Sequence, residues 1–142
     1  MHHPVFAELH DLEELVRSAR RIAVVGLSST PTRPSHGVAR QLLRLGYDVV
    51  PVNPNETSVL GVDAVTSLDE VEPPIDIVDV FRRAEHAPEL ARQAVEVKAR
   101  TVWLQSGITS PEARRIAVEH GLGYVEDACL GVVASRLGGP GA

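Results

Sequence analysis

The chain has 142 residues, enough for one domain with a core of its own but not for an additional catalytic domain. Hydrophobic residues make up 44% and charged residues 23%, as in soluble globular domains, which excludes disordered and fibrous proteins. The net charge of −5 argues against a nucleic-acid-binding protein, because such proteins carry an excess of basic side chains.

The sequence also lacks the features of a membrane or secreted protein. It contains no apolar run of about 18 residues, and its first residues are acidic where a signal peptide is basic and then apolar. Cys129 is the only cysteine, so an internal disulfide is excluded. We therefore expect a cytoplasmic protein that binds no membrane.

Helical and strand-like segments alternate along the chain. The first 19 or so residues are predicted to form an amphipathic helix through Leu9, Leu12 and Val16. Short runs rich in Val or Ile predict strands over residues 21–26, 47–53, 75–81, 101–105 and 122–126. Apolar residues at helical spacing predict helices over residues 35–46, 88–99 and 110–121.

Capping residues at the ends of the predicted helices support these boundaries. Gly46 and Gly121 follow helical patterns as C-terminal caps, and Ser110 precedes a proline as an N-cap. Ser67 and Glu70 have the spacing of a capping box, which predicts a short helical turn after the second strand. The glycine-rich tail, residues 138–142, is predicted to be frayed.

This alternation is typical of the α/β class. We expect a three-layer, Rossmann-like, doubly wound sheet of about five parallel strands with helices on both faces. Residues 1–142 are predicted to form a single domain. In such a sheet a ligand binds beyond the carboxyl ends of the strands, where the strand order reverses.

The loop after the first predicted strand, GLSSTPTRPS, carries groups suited to an anion. Gly26 permits a tight turn, Ser28, Ser29 and Ser35 supply hydroxyls, and the next helix presents free backbone N–H groups. Arg33 lies in the same loop and is able to bind a phosphate with its fork of N–H groups.

Two common nucleotide sites fit this loop poorly. The glycines of a nicotinamide dinucleotide fingerprint are missing, and the second strand ends in Val52, Asn53 and Pro54 without the acidic residue that binds a ribose. The loop also has no lysine, which disfavours a nucleoside triphosphate site of the Walker type.

The motifs at the strand ends, taken in order, resemble a known family. They are IAVVGLSSTPTRPSHG, VVPVNPNE, IDIVDVFRRAE, VWLQSGI and GLGYVEDACL. The chain is similar to small single-domain coenzyme A (CoA)-binding proteins, which are related to the N-terminal domain of the succinate–CoA ligase α subunit. The similarity runs from about residue 20 to residue 137.

The resemblance implies a Rossmann-like domain that binds CoA, and it assigns a role to each motif. The pyrophosphate is expected at the loop after Gly26. From the residues themselves, Arg82 or Arg83 is able to reach a phosphate. Cys129 directly follows the last predicted strand, so it is expected at the same edge, and its mixed disulfide with the CoA thiol is a hypothesis. The implied site residues are Gly26, Ser28, Ser29, Arg33 and Ser35 for the pyrophosphate, Val52, Asn53, Pro54, Val80, Phe81 and Arg82 for the adenosine, and Gln105, Ser106 and Gly107 for the pantetheine arm.

Two departures from the family pattern concern residues near the site. Ala128 stands where members often carry an arginine before the last-strand cysteine. Asn55 and Glu56 follow the second strand where the ligase domain commonly has a lysine, so the partner of the CoA 3′-phosphate is not identified.

No catalytic or metal-binding constellation is predicted. The histidines lack metal-ligand spacing, and His36 is interpreted as a partly exposed residue of a first helical turn. Asp76 and Asp79 are expected on opposite faces of a strand, so they form no acid–base pair. We therefore predict noncatalytic binding of CoA or an acyl-CoA by a sensor, carrier or regulatory module.

Two other functions remain as alternatives. The first is an NAD(P)-binding regulator or small oxidoreductase, and the second is a protein-interaction module with a vestigial nucleotide pocket.

Overall fold

The computed structural model describes residues 9–141. Its helices are α1 (Leu9–Ser18), α2 (Pro34–Leu45), α3 (Ala87–Glu96), α4 (Pro111–Glu119) and α5 (Leu130–Leu137), with single 3₁₀ turns at Leu68–Glu70 and Ala84–His86. Its strands are β1 (Arg21–Val25), β2 (Asp48–Val52), β3 (Ser58–Val59), β4 (Val62–Asp63), β5 (Ile77–Val80), β6 (Thr101–Leu104) and β7 (Gly123–Val125). Within this range no helix combines the length and the apolar character needed to cross a membrane.

Five strands form one sheet in the order β2-β1-β5-β6-β7, and every neighbouring pair is parallel. The order reverses at β1, because β2 lies on one side of it and β5 on the other. β3 and β4 form a separate antiparallel hairpin. The predicted α/β fold class and its parallel sheet are confirmed.

Helices cover both faces of the sheet and divide the core into two clusters. On one face α3 and α4 bury Leu90 and Ile116 against strand residues such as Val78. On the other face α1, α2 and α5 bury Val16, Leu42 and Leu130 together with Trp103 and other strand residues. The sheet is therefore the middle of three layers.

Several helix-capping residues make the contacts that the sequence predicts. Gly46 ends α2 in a left-handed conformation and donates its N–H to Leu42 and Leu43. The Ser110 side chain accepts the Ala113 N–H at the start of α4. Glu70 accepts the Ser67 N–H from within its 3₁₀ turn, as the capping-box spacing predicts.

The structure covers only part of the predicted N-terminal helix, and it differs from the prediction at the C-terminal end. Helix α1 begins at Leu9, and the earlier part of the predicted N-terminal helix lies outside the described residues. Residues 138–141 are not frayed, because the Gly141 N–H donates to the Arg17 carbonyl and Arg20 donates to the Gly141 carbonyl. Left-handed Gly138 and Gly139 turn the chain back toward α1, which explains the difference.

Candidate functional site

The carboxyl ends of β1 and β5 meet at Gly26, directly after β1. The Gly26 N–H donates to the Val52 carbonyl at 2.9 Å, so the residue continues the ladder to β2. Its φ of 88° lies in the left-handed region, and a Cβ there would be 2.7 Å from the carbonyl oxygen of Phe81. Only glycine fits this position, where the strand order reverses.

Hydroxyls hold the loop between Gly26 and α2 in shape. The Ser35 Oγ accepts the Ser28 N–H at 3.1 Å, and the Ser28 Oγ accepts the Thr30 N–H at 3.0 Å. The Ser29 N–H donates to a carboxylate oxygen of Glu56 at 2.7 Å. The serines thus organise the loop, while exposed Arg33 stands at the N-cap of α2.

A cavity of about 650 Å³ opens beside this loop. Its lining brings together the loop, the ends of β5 and β6 and the start of α5. The lining residues are Gly26, Ser28, Arg33, Pro34, Ser35, Val38, Phe81, Arg82, Arg83, Gln105, Ser106, Ile108 and Cys129.

A second cavity of about 190 Å³ adjoins the first and shares Gly26 and Arg82 with it. It lies between the ends of β1 and β2 and the segment around the first 3₁₀ turn. Its lining residues are Val25, Gly26, Val52, Asn53, Pro54, Thr66, Ser67, Leu68, Arg82, Leu90 and Gln93. Arg82 therefore stands at the junction of the two cavities.

The structure brings together all but three of the predicted site residues along these two linings. Ser29 is exposed and bonded to Glu56, and Val80 is fully buried in the core. Gly107 turns the chain after β6 with a φ of 85°, and its N–H donates to Asp127 Oδ1 at 2.7 Å. Gly107 thus ties together two of the loops at this edge.

Cys129 is half-buried at the N-cap of α5 and lines the larger cavity. Phe81, which is also half-buried, lines the same cavity, and Arg82 and Arg83 are exposed beside it. The thiol, the ring and the two guanidinium groups therefore belong to one recess.

Sequence reasoning missed the part of the smaller cavity formed by Thr66, Ser67 and Leu68. A parallel bridge between Val52 and Val65 brings this segment to the end of β2. A single bridge of this kind leaves no periodic pattern in the sequence, so it could not be predicted. The capping-box spacing of Ser67 and Glu70 predicted only that a turn begins there.

Two of the buried polar side chains near this edge each have an atom without a hydrogen-bond partner. His36 is only 8% exposed, contrary to the interpretation as a partly exposed residue, and its Nδ1 has no partner. Asp79 is fully buried in β5, and one of its oxygens has no partner either. Burial raises the pKa of Asp79 to about 7, although a hydrogen bond from Gln105 opposes the shift.

A cavity of similar size, about 640 Å³, lies at the opposite edge of the sheet. It is lined by residues of α1 and of the turns before β6 and β7, among them Asp11 and Glu14. Open parallel sheets bind ligands at the carboxyl ends of their strands, so the two adjoining cavities at Gly26 are the candidate site.

Comparisons with known proteins identify relatives of the chain and its family. An uncharacterized protein of Bacillus subtilis, YneT, is 43% identical over 122 residues, which cover 86% of this chain and 90% of that protein. A hypothetical protein from Pyrococcus horikoshii OT3 is 33% identical with a TM-score of 0.90, and the match covers 96% of each chain.

A more distant structure shares the fold. An acetyl-coenzyme A synthetase of Ca. Korarchaeum cryptofilum is 22% identical with a TM-score of 0.69, over 82% of this chain and 27% of that one. The model of a family described as "CoA binding domain" matches residues 20–135. The chain therefore belongs to the family of CoA-binding domains.

Proposed function

We propose that the protein binds CoA or an acyl-CoA without catalysing a reaction on it, as a sensor, carrier or regulatory module. The observation that carries the proposal is the pair of cavities that meet at Gly26 and Arg82 where the strand order reverses. A long, two-part ligand suits two adjoining cavities better than a compact one.

The charge of the linings suits a polyanion. Arg33, Arg82 and Arg83 line the larger cavity, and the described residues of both linings include no Asp or Glu. The linings therefore carry positive charge in a chain whose net charge is −5, although Glu56 contacts the loop from outside them. Arginine forks are suited to the phosphates of CoA.

The two cavities together suit the remainder of CoA. In the proposed arrangement the pyrophosphate lies at the loop between Gly26 and Ser35, and the adenosine extends into the smaller cavity. The pantetheine arm follows the larger cavity past Gln105 and Ser106. Its thiol end then approaches Cys129.

A nicotinamide dinucleotide is the second candidate ligand. The observation in its favour is Glu56, which follows β2 and reaches back to the N–H of Ser29 in the loop after β1. An acidic group near this place binds the ribose hydroxyls in dinucleotide-binding domains. Calorimetric titration with CoA, dephospho-CoA and NAD separates the two candidates, and the proposal requires CoA to bind more tightly than NAD.

Arg82→Ala tests the role of the junction between the cavities. Loss of a charge-assisted hydrogen bond to phosphate corresponds to roughly a tenfold to hundredfold weaker CoA affinity. Arg44→Ala removes the same charge from an exposed position of α2 that lines neither cavity, and it is expected to bind CoA as the wild type does. Equal affinity of Arg82→Ala and wild type would contradict the proposed arrangement.

A further inference from the structure

Asp79 places a carboxyl group in the interior of the sheet, where side chains are usually apolar. It lies in the middle of the sheet, paired in register with Val24 of β1 and Trp103 of β6, and it is fully buried. Ile77 and Asp79 share a face of β5 because side chains alternate along a strand, and that face packs against Leu130 of α5. A carboxyl group in such surroundings calls for an explanation beyond packing.

One contact connects Asp79 to the candidate site. The Gln105 Nε2 donates to Asp79 Oδ1 at 2.6 Å, and the other carboxyl oxygen, Oδ2, has no partner. Gln105 is itself only 4% exposed, yet it lines the larger cavity. The buried carboxyl thus reaches the ligand space through one side chain.

The contact determines which end of the Gln105 carboxamide is left for a ligand. A carboxamide has a donor end and an acceptor end, and here Asp79 takes the donor end. We propose that Asp79 is a positioning residue, which turns Gln105 so that its carbonyl oxygen accepts a hydrogen bond from a donor on the ligand. In CoA the matching donors are the amide N–H groups and the thiol of the pantetheine arm, so this inference rests on the proposed function.

The protonation state of Asp79 determines how strongly one orientation of the Gln105 carboxamide is favoured over the other. An ionised carboxylate only accepts hydrogen bonds, so it allows one orientation of the carboxamide. A protonated carboxyl group also donates, and it therefore tolerates the reversed orientation, which presents an N–H group to the ligand. Burial raises the Asp79 pKa to about 7, so both states are populated near neutrality.

The groups around Asp79 are mainly apolar, and the titratable side chains of the helices packed on its face include His36 of α2 and Cys129 at the start of α5. The Trp103 N–H donates to the Ala128 carbonyl, and Val24 and Leu130 are apolar. On α2, Val38 packs toward Gly131 of α5, while buried His36 lies on the core-facing side of the helix with Ala39 and Leu42. His36 is unchanged in Asp79→Asn, so it is common to the two proteins compared below. Cys129, the titratable group at the start of α5, is half-buried and lines the larger cavity.

The experiment compares CoA affinity of wild type and Asp79→Asn by calorimetry from pH 6 to pH 8. Asparagine tolerates both orientations of Gln105 at every pH, because its own carboxamide donates as well as accepts. The affinity is reduced in proportion to the fraction of protein with Gln105 correctly turned. We expect wild type to bind roughly twofold to tenfold more tightly than Asp79→Asn at pH 8, and equally at pH 6.

Titration of the CoA phosphates changes the affinity of both proteins equally. The ratio of the two affinities therefore does not depend on it. A ratio of one at all pH values, or a ratio that does not change with pH, overturns the inference and leaves CoA binding intact. Failure of wild type to bind CoA at any pH overturns the proposed function and this inference together.

Gln105→Met supplies a second measurement that does not depend on ionisation. It removes the acceptor but keeps the length of the side chain, and it is expected to bind CoA as weakly as Asp79→Asn or more weakly. Gln41→Met makes the same change at an exposed hydrogen bond to Ser135 outside the cavities, and it is expected to leave the affinity unchanged. Wild-type affinity in Gln105→Met would also overturn the inference.

Discussion

At the scale of single residues, the site depends on contacts that pair distant parts of the chain. The sequence predicts Gly26 as the start of a turn, but the reason for glycine is the Phe81 carbonyl 2.7 Å from where a Cβ would lie. The sequence also predicts that Asp79 faces away from Asp76. Its partner Gln105 is visible only after β5 and β6 are paired.

Asp79 gives the stability of the domain a dependence on pH. Its pKa is raised to about 7 in the folded state, from an ordinary value of 3.8, so the folded protein holds a proton that the unfolded chain has released. The contribution of Asp79 to stability is thus present below about pH 4 and is lost as the pH rises through about 7.

Asp79→Asn removes this dependence. Relative to wild type, the free energy of unfolding of the variant is expected to increase by on the order of a few kcal/mol between pH 4 and pH 7 and then to level off. Urea denaturation at a series of pH values measures the difference. A constant difference over this range would show that Asp79 does not titrate with a raised pKa.

At the scale of elements, five short Val- and Ile-rich strands and three main helices were predictable because each has its own pattern and end signal. Helix α5 was not, because its sequence LGVVASRL contains Gly131 and is apolar around much of its circumference. Tertiary packing outweighs this weak propensity, since Leu130 and Ala134 are fully buried and Gly131 accommodates Val38.

Leu130→Ala tests whether packing holds α5 in place. Removing a fully buried leucine side chain is expected to lower the free energy of unfolding by roughly 2–5 kcal/mol. The control in the same helix is Val132→Ala, whose side chain is 47% exposed, and its effect is expected to be within about 0.5 kcal/mol. Similar effects of the two substitutions, measured by urea denaturation, would argue against a packed α5.

At the scale of the whole molecule, the parallel sheet explains why the residues of a candidate site could be predicted from sequence. Carboxyl ends of parallel strands meet at one edge, so loops that are far apart in sequence converge there. The loop between β2 and the first 3₁₀ turn was not predictable, because it is placed by the bridge from Val65 to Val52 and by the contact of Glu56 with Ser29.

Ligand binding is expected to stabilise the whole domain. A ligand that binds only the folded state adds about 2.7 kcal/mol at a concentration of 100 times its Kd, so CoA should raise the melting temperature by several degrees. Differential scanning calorimetry measures the shift. Arg82→Ala is expected to shift less at the same CoA concentration, and an equal shift in both proteins would contradict a role for Arg82 in CoA binding.

The junction at Arg82 and Gly26 also has a consequence for the design of synthetic ligands. Because the cavities of about 190 and 650 Å³ adjoin and share only Gly26 and Arg82 in their linings, each offers a site for a fragment of its own. Two weak fragments that bind side by side gain affinity when joined, since binding of the first raises the effective concentration of the second. The linker between them belongs at the guanidinium of Arg82, which both fragments would reach.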